Sequence, residues 1–322
     1  MLVIGDLHGD YYKMTRILQE NNIIKIDNEF STDNEFSLDS VEILNDDIFI
    51  VFIGDYIDWR GEDIENPYDI DRKELVRGTY KIVKLLSYLI SKRGKIFTLV
   101  GNHEDMMFRA LKILDKIDKN IFNDIIDRVA GNPYSVMKDL AEMNIIDDFL
   151  NFYNWYSQGG RNTIEAFGSF DLLLESINND EIFKNLLLFV YFEQEDGSRL
   201  VFSHTFPDDL DCVDRIIGDS ITDKDIPLLI WSRKIWGIDA WVGAKTKPFD
   251  KKTILEVLDK NRIVRYFVGH TRISMDPGPN FHLDGRIVNL DNHGIINSKP
   301  FFQENFSFSK VVYRSYNSFG SL

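Results

Sequence analysis

Several segments of this 322-residue chain share one grammar: an apolar run, then Gly-Asp, Gly-Asn-His or Gly-His. The first is Ile4-Gly5-Asp6-Leu7-His8-Gly9-Asp10, where a carboxylate and an imidazole stand two residues apart. Positions two apart on an extended chain point the same way, so Asp6 and His8 aim at one point beyond the carboxyl end of the run 2–4. Open α/β sheets build ligand sites at such places. The plainer reading, an aspartate capping the helix from Asp10 onward, explains a single Asp but not the recurrence. Collected from all the strand ends, the set is Asp6, His8, Asp55, Asn102, His103, His204 and His270. Carboxylates, imidazoles and an amide oxygen suit Mn, Fe or Zn, and a chain with one cysteine has no thiolate site to offer. If one carboxylate bridges, the set holds two ions a few ångströms apart, an arrangement that serves phosphoryl transfer. Four of the six histidines lie in these segments, whereas His282 and His293 lie outside them and read as surface or packing residues. A lone Gly-Asn-His is an ordinary turn, and a lone strand-end histidine is more often hydrogen-bonded than metal-bound. Order and context carry the reading.

The elements that must position these residues are legible from periodicity. Residues 10–21 read as a helix with Tyr11, Met14, Ile17 and Leu18 on one face. Residues 27–47 are polar and acidic, with a short echo (Asp27 to Ser31, Asp33 to Ser37) that is too brief for a repeat architecture of about three or more units; an exposed hairpin or loop is expected. The run 48–53 reads as a strand buried on both faces. A helix is expected over 72–91, with Leu75, Ile82, Leu86 and Leu89 inward and Gly94 as its stop. The strand 96–100 then feeds Gly101-Asn102-His103-Glu104, completing a βαβ pattern. From 105 to 188 the period becomes helical, broken at Gly131-Asn132-Pro133 and Gly159-Gly160. Its Met and Phe stripes read as packing, and the segment as a helical insertion or cap between the halves of the site. A hairpin follows, 189–192 and 200–204 around Asp196-Gly197, then a short helix near 253–258 and strands at Ile263–Val268 and 287–291. Beyond Lys310 no pattern is evident.

Bulk properties narrow the classes. With 37 basic against 52 acidic residues the net charge is −15, which works against broad binding of nucleic-acid backbones and mostly means solubility. No apolar run approaches the roughly 18 residues of a membrane span. The first strand begins at Met1, so no leader segment is expected. Cys212 is the single cysteine, so no intramolecular disulfide is expected and a cytoplasmic location is.

Taken in order, Asp-x-His, Gly-Asp-x-x-Asp, Gly-Asn-His-Glu, a lone His and Gly-His-Thr resemble the signature of the calcineurin-like metallophosphoesterases, over roughly residues 1–294. The Glu after Asn-His and the near match to Gly-Asp-x-x-Asp-Arg-Gly resemble the phosphoprotein phosphatase branch. Leu229-Ile230-Trp231-Ser232-Arg233 resembles the Trp-x-Arg element of bacterial and phage phosphatases, which diadenosine tetraphosphate hydrolases share. Trp155, Gly159-Gly160 and Thr163 resemble the Trp-x-x-x-Gly-Gly-x-x-Thr segment of the same group.

The resemblance implies an α/β fold, a sandwich of two mixed β-sheets flanked by helices, as a single domain over 1–322 with the insertion 105–188 as one wall of the cleft. It implies that Asp6, His8 and His270 hold a first metal, that Asp55 bridges, and that Asn102 and His204 complete a second site. His103 would be the general acid and Asp58 would fix its tautomer. Arg233 and Arg60 would clamp the phosphate. The implied cofactors are two divalent transition-metal ions, Mn first, with Fe or Zn as alternatives, and the implied mechanism is in-line attack by a bridging hydroxide. Two departures stand out. Trp59 is inserted before Arg60, which either returns Arg60 to the phosphate or swings it away with Trp59 lining the pocket. Arg272 replaces a proline common after Gly-His-Thr, either as an anion contact or as a solvated side chain.

The leading function is hydrolysis of phosphomonoesters on phosphoprotein, at Ser/Thr with Tyr as a further candidate. The runner-up is dinucleoside polyphosphate hydrolysis at the same centre. A nucleic-acid phosphodiesterase is disfavoured by the acidity, and a catalytically silent binding module by the intact ligand set. The expected partners are a phosphorylated protein, nucleotide or other small molecule, with neither nucleic acid nor membrane.

Overall fold

In the structure, a computed structural model, the described residues are 1–26, 37–59, 70–131, 136–239, 243–274, 278–291 and 301–316. The first half runs β1 (Leu2–Ile4), α1 (Tyr11–Glu20), β2 (Ile24–Ile26), β3 (Val41–Ile43), β4 (Ile50–Phe52), α2 (Arg72–Val76), α3 (Gly78–Lys92) and β5 (Ile96–Leu99). Helices α4 (Asn102–Leu111), α5 (Lys119–Gly131), α6 (Met137–Glu142), α7 (Ile146–Trp155), α8 (Arg161–Phe167), α9 (Phe170–Asn179) and α10 (Glu181–Lys184) follow. Then come β6 (Leu186–Glu193), β7 (Arg199–Ser203), α11 (Asp211–Ile217), α12 (Ile226–Ile230) and α13 (Lys251–Lys260). The chain closes with β8 (Ile263–Val268), β9 (Asn280–His282), β10 (Ile287–Asn289), β11 (Phe301–Gln303) and β12 (Lys310–Ser315).

Ten of these strands form one mixed sheet in the order β11-β1-β4-β5-β6-β7-β8-β10-β9, with β12 also paired to β6. β1, β4, β5 and β6 run parallel, as do β7, β8 and β10. β11, β9 and β12 add antiparallel, and the β6–β7 hairpin joins the two parallel groups. The sheet curls until its ends meet: Phe302 of β11 lies 5.2 Å from Phe267 of β8 and 6.3 Å from Phe281 of β9. The two facing sheets expected from the sequence are therefore parts of one hydrogen-bonded sheet that is continuous through the pairing of β5 with β6 at Leu186 and Leu187.

Side-chain alternation explains the layering. Val3, Val51, Leu99, Phe192, Phe202, Phe267 and Val288 fill the space inside the curl. Their neighbours Leu2, Ile4, Ile50 and Phe52 point outward into the larger core beneath the helices. The strands are apolar on both faces because both faces are covered. The Met and Phe stripes of the helical stretch are packing, as expected: Phe122 sits 4.9 Å from Phe152 and 4.7 Å from Phe170, all in the core.

The structure corrects several boundaries. The helix expected over 72–91 is two, broken at Arg77/Gly78. A Cβ on Gly78 would lie 2.1 Å from the Gly9 carbonyl oxygen, so only glycine lets this helix start press against the first strand-end loop. Helix α3 ends because Arg93 turns extended, one residue before Gly94. Gly159-Gly160 marks a turn as expected: α7 and α8 are separated by a kink at which Gln158 and Gly159 (φ 123°) leave helical geometry. β2 and β3 pair as an antiparallel ladder, while the echo, except for Ser37, lies outside the described residues, as do Asn132, Pro133 and His293. β9, β11 and β12 carry no signal strong enough to be expected. Cys212 is buried, with burial and the nearby Asp225 carboxylate raising its thiol to about 12. No described helix is long and apolar enough to cross a membrane.

Candidate metal centre and active site

The site forms where β1, β4, β5, β7 and β8 hand their chains to loops. Four of its residues hold positive φ without being glycine: His8 (45°), Asp55 (51°), Asp58 (63°) and His270 (68°). Such backbones cost of order 1–3 kcal/mol each and persist where the surroundings over-determine them. Here the loops brace one another. The Leu7 and His8 amides both donate to the Asp55 carbonyl at 3.0 and 2.7 Å, and Gly9 donates to the Tyr56 carbonyl. The glycines of the recurring grammar are steric: a Cβ at Gly101 would sit 2.1 Å from Asp55 Oδ1, and at Gly269 2.0 Å from Asp6 Oδ1.

Glu104, whose role the sequence did not disclose, ties two of these segments together. Its carboxylate is fully buried and accepts from the backbone amides of Asp55 (3.0 Å), Tyr56 (2.8 Å) and Gly101 (2.9 Å). Burial first, then the Asp55 charge, push its carboxyl up to about 7.

The expected ligands converge. Asp55 Oδ2 lies 3.5 Å from His8 Nε2 and 3.5 Å from His204 Nε2. Asn102 Oδ1 faces His204 Nε2 at 3.1 Å and His270 Nδ1 at 2.7 Å. Two groups of donor atoms result, His8-Asp55-His103 and Asp55-His204-His270, each within 4.8 Å and sharing Asp55. Asp6 is fully buried; its Oδ2 accepts from the His270 amide at 2.7 Å, while Oδ1 has no hydrogen-bond partner among the described residues. A buried carboxylate oxygen without a partner is costly unless a cation meets it. This orphaned oxygen, with the shared position of Asp55, fits a pair of divalent ions.

One expectation on grouping changes. His270 meets Asp6 through its backbone amide, but its imidazole joins Asn102, His204 and Asp55. The left-handed backbone of His270 is what separates the two directions, and the pattern Gly-His-Thr does not encode it.

Electrostatics without ions are consistent with a cation site. Burial and then Asp291 hold the Asp6 carboxyl well above the carboxylate range. Burial acts on Asp55 in the same sense, yet the imidazoles of His204, His103 and His8 win and hold it well below that range. Burial opposes a charge on His204, but Asp55 and Asp6 raise it to about 10. Burial, His204 and Arg233 keep His270 well below the imidazole range.

The remaining sequence-derived residues fall around this centre. His103 Nδ1 lies 2.8 Å from Asp58 Oδ2, both buried. Arg233 Nε donates to His270 Nε2 at 2.8 Å. Arg60 lies outside the described residues. Trp59 is described; its indole sits by Arg72, 5.9 Å from the guanidinium, and is not among the residues lining the cleft. That cleft, about 300 Å³, is lined by His8, Asp55, Asn102, His103, His270 and Arg233 together with Gln158, Trp231, Arg272 and Asp291. Gln158 comes from the helical stretch, and Arg272 reaches the rim rather than facing away. Trp231 is fixed by donation from Nε1 to Asp105 Oδ2 at 2.8 Å, and Asp105 Oδ1 also accepts from the Tyr316 hydroxyl at 2.6 Å. Asp291 and Asp105 were not foreseen. Asp291 had a signal, as a carboxylate just past an apolar run, but lacked the glycine of the other strand ends.

The chain belongs to the calcineurin-like phosphoesterases, whose family model matches residues 1–273. That span includes every residue of the two donor groups. Its members being phosphoester hydrolases that use divalent metals, the chain is a metal-dependent phosphoesterase. Among solved structures, a point-mutant form of a cold-active protein tyrosine phosphatase is similar at 13% identity, covering 92% of this chain and 72% of that one with a TM-score of 0.39, too distant to define fold or substrate. No curated protein sequence matches the chain.

Proposed function

We propose that the protein is a phosphomonoesterase acting on phosphoprotein, at phospho-Ser/Thr with phospho-Tyr as a further candidate. The observation that carries this reading is the shared carboxylate: Asp55 belongs to two donor groups at the foot of a cleft that also holds Arg233 and the His103–Asp58 pair. Two divalent ions, Mn most suited with Fe or Zn as alternatives, would be held by Asp6, His8 and Asp55 and by Asp55, Asn102, His204 and His270. When bound, they would activate water and neutralise phosphate charge.

The chain's own residues do the rest. Arg233, released from His270, presents a planar guanidinium to two phosphate oxygens. His103 gives its proton to the departing alkoxide from Nε2, because Nδ1 is committed to Asp58. The burial of His103 and Asp58 keeps water from competing for that proton. Helices over 105–188 form one wall of the cleft within a single domain, and Gln158 is their contribution to its lining. We place the protein in the cytoplasm on its single buried cysteine.

The cleft supports the monoester over the dinucleoside reading. A volume of about 300 Å³ accommodates a phosphate and one side chain, at the small end of ligand pockets. Trp231 is the one aromatic other than the histidines among its described lining residues, and its indole N–H is already bound to Asp105. A dinucleoside needs a platform for each base. The test is a side-by-side assay, with manganese, of phosphoserine, phosphothreonine and phosphotyrosine peptides and of diadenosine tetraphosphate. A higher kcat/KM on a phosphopeptide is expected; a higher value on the dinucleotide would overturn the assignment.

A further inference from the structure

Both carboxylate oxygens of Asp58 are held, and two of their three partners come from one segment about a hundred residues away. Its Oδ2 takes the His103 Nδ1 at 2.8 Å. Its Oδ1 accepts from Trp155 Nε1 at 3.2 Å and from the Thr163 hydroxyl at 2.6 Å. The same Thr163 oxygen accepts from the Asp58 backbone amide at 3.0 Å. Asp58, Trp155 and Thr163 are each 0% exposed. Between the two donors the chain kinks, with Gln158 and Gly159 outside helical geometry. Gly159, at φ 123°, packs its Cα side directly on Asp58: an added Cβ would be 2.7 Å from the Asp58 Cβ. A Cβ on Gly160 would strike the Trp155 indole at 2.5 Å. Of the four marked positions of the Trp-x-x-x-Gly-Gly-x-x-Thr segment, Trp155, Gly159 and Thr163 thus pack on or bond to Asp58, and Gly160 packs on Trp155.

We infer that this segment is a positioning device for the proton-donating histidine, with Thr163 its central positioning residue and Trp155 its second donor. The inference rests on the proposed role of His103 as general acid. Two neutral donors occupy Oδ1 and leave Oδ2 as the oxygen free to accept from His103. The hydroxyl also holds the Asp58 backbone in its left-handed conformation (φ 63°) through the amide. A single hydroxyl therefore sets both the direction of the carboxylate and the place of the loop that carries it. Without it, the Asp58 amide is left buried and unpaired and the carboxylate can rotate about its terminal bond. His103 then loses its fixed orientation while Arg233 and the donor groups keep theirs.

The test separates proton donation from packing. Phosphoserine peptide leaves as an alkoxide that needs a proton, whereas 4-nitrophenyl phosphate leaves as a stable phenolate that does not. Thr163→Val is expected to lower kcat on the peptide roughly 10- to 100-fold, with KM little changed and a much smaller loss on the aryl ester; Thr163→Ser is expected to restore most of it. Equal losses on both substrates, or no loss on either, would overturn the inference and leave Thr163 a packing residue. A second readout does not depend on turnover: the downfield imidazole Nδ1 proton of His103, seen by nitrogen-edited NMR, should shift or vanish in Thr163→Val and persist in Thr163→Ser. An unchanged signal in Thr163→Val would overturn it. If Thr163→Val does not fold, Trp155→Phe removes the other donor and is read in the same two ways. Wild-type protein that hydrolyses neither substrate would count against the phosphatase reading alone, and the NMR comparison would still decide the role of Thr163.

Discussion

Asp55→Asn is expected to abolish turnover while leaving the fold intact. The substitution keeps shape and keeps an oxygen to accept from the His103 amide, which Asp55 Oδ1 does at 3.0 Å. The loop itself stays anchored, because Glu104 holds the amides of residues 55 and 56. What disappears is the anionic donor common to both groups, 3.5 Å from His8 and from His204. A loss of roughly 10³-fold or more in kcat, about 4 kcal/mol of barrier, is expected, with an unchanged circular dichroism spectrum. The sign of the acid dependence follows as well. The Asp55 carboxyl of the metal-free fold lies below its unfolded value, so its stabilisation is present above the ordinary carboxylate range and lost as pH falls through the folded value. The variant should lack that component of acid sensitivity. Near wild-type activity in Asp55→Asn would contradict a shared carboxylate.

His103→Asn should give the second large effect by a different route. The amide nitrogen of asparagine can still donate to Asp58, so the buried carboxylate keeps a partner. The proton for the leaving group is lost, at a cost of roughly 10² to 10⁴ in kcat on alkyl phosphates. Metal content should not change, because the role assigned to His103 is proton donation. Its ring lies in the His8–Asp55 group, so the opposite outcome has a definite meaning. Loss of a metal ion together with activity, measured by elemental analysis of the purified variant, would make His103 a ligand.

The sequence was most informative where chemistry and strand geometry coincide. Asp6, His8, Asp55, Asn102, His103, His204 and His270 all sit at strand ends, because apolar runs are strong signals and a glycine after them marks close approach. It was weaker where backbone hydrogen bonds alone decide. β11 and β12 are short edge strands, half-buried or exposed, joined through main-chain pairing that leaves little trace in side-chain pattern. For the same reason, a single curled sheet could not be told from two facing ones. The expectation grouped His270 with Asp6 and His8, whereas its imidazole faces Asn102, since a left-handed φ at a non-glycine residue has no periodic signature. Glu104, Trp155 and Thr163 stood in recognised motifs without a role, because their partners lie 48 to 105 residues away. The split at Gly78 was likewise invisible, being set by the distant Gly9 carbonyl.

The central claim is a two-ion centre built on Asp55, and metal stoichiometry tests it most directly. Purified protein should be stripped with a chelator, reloaded with manganese, freed of excess by gel filtration and assayed by inductively coupled plasma mass spectrometry. The account predicts two ions per chain in the wild-type protein. A wild-type chain that retains none, or one ion only at saturation, would contradict it.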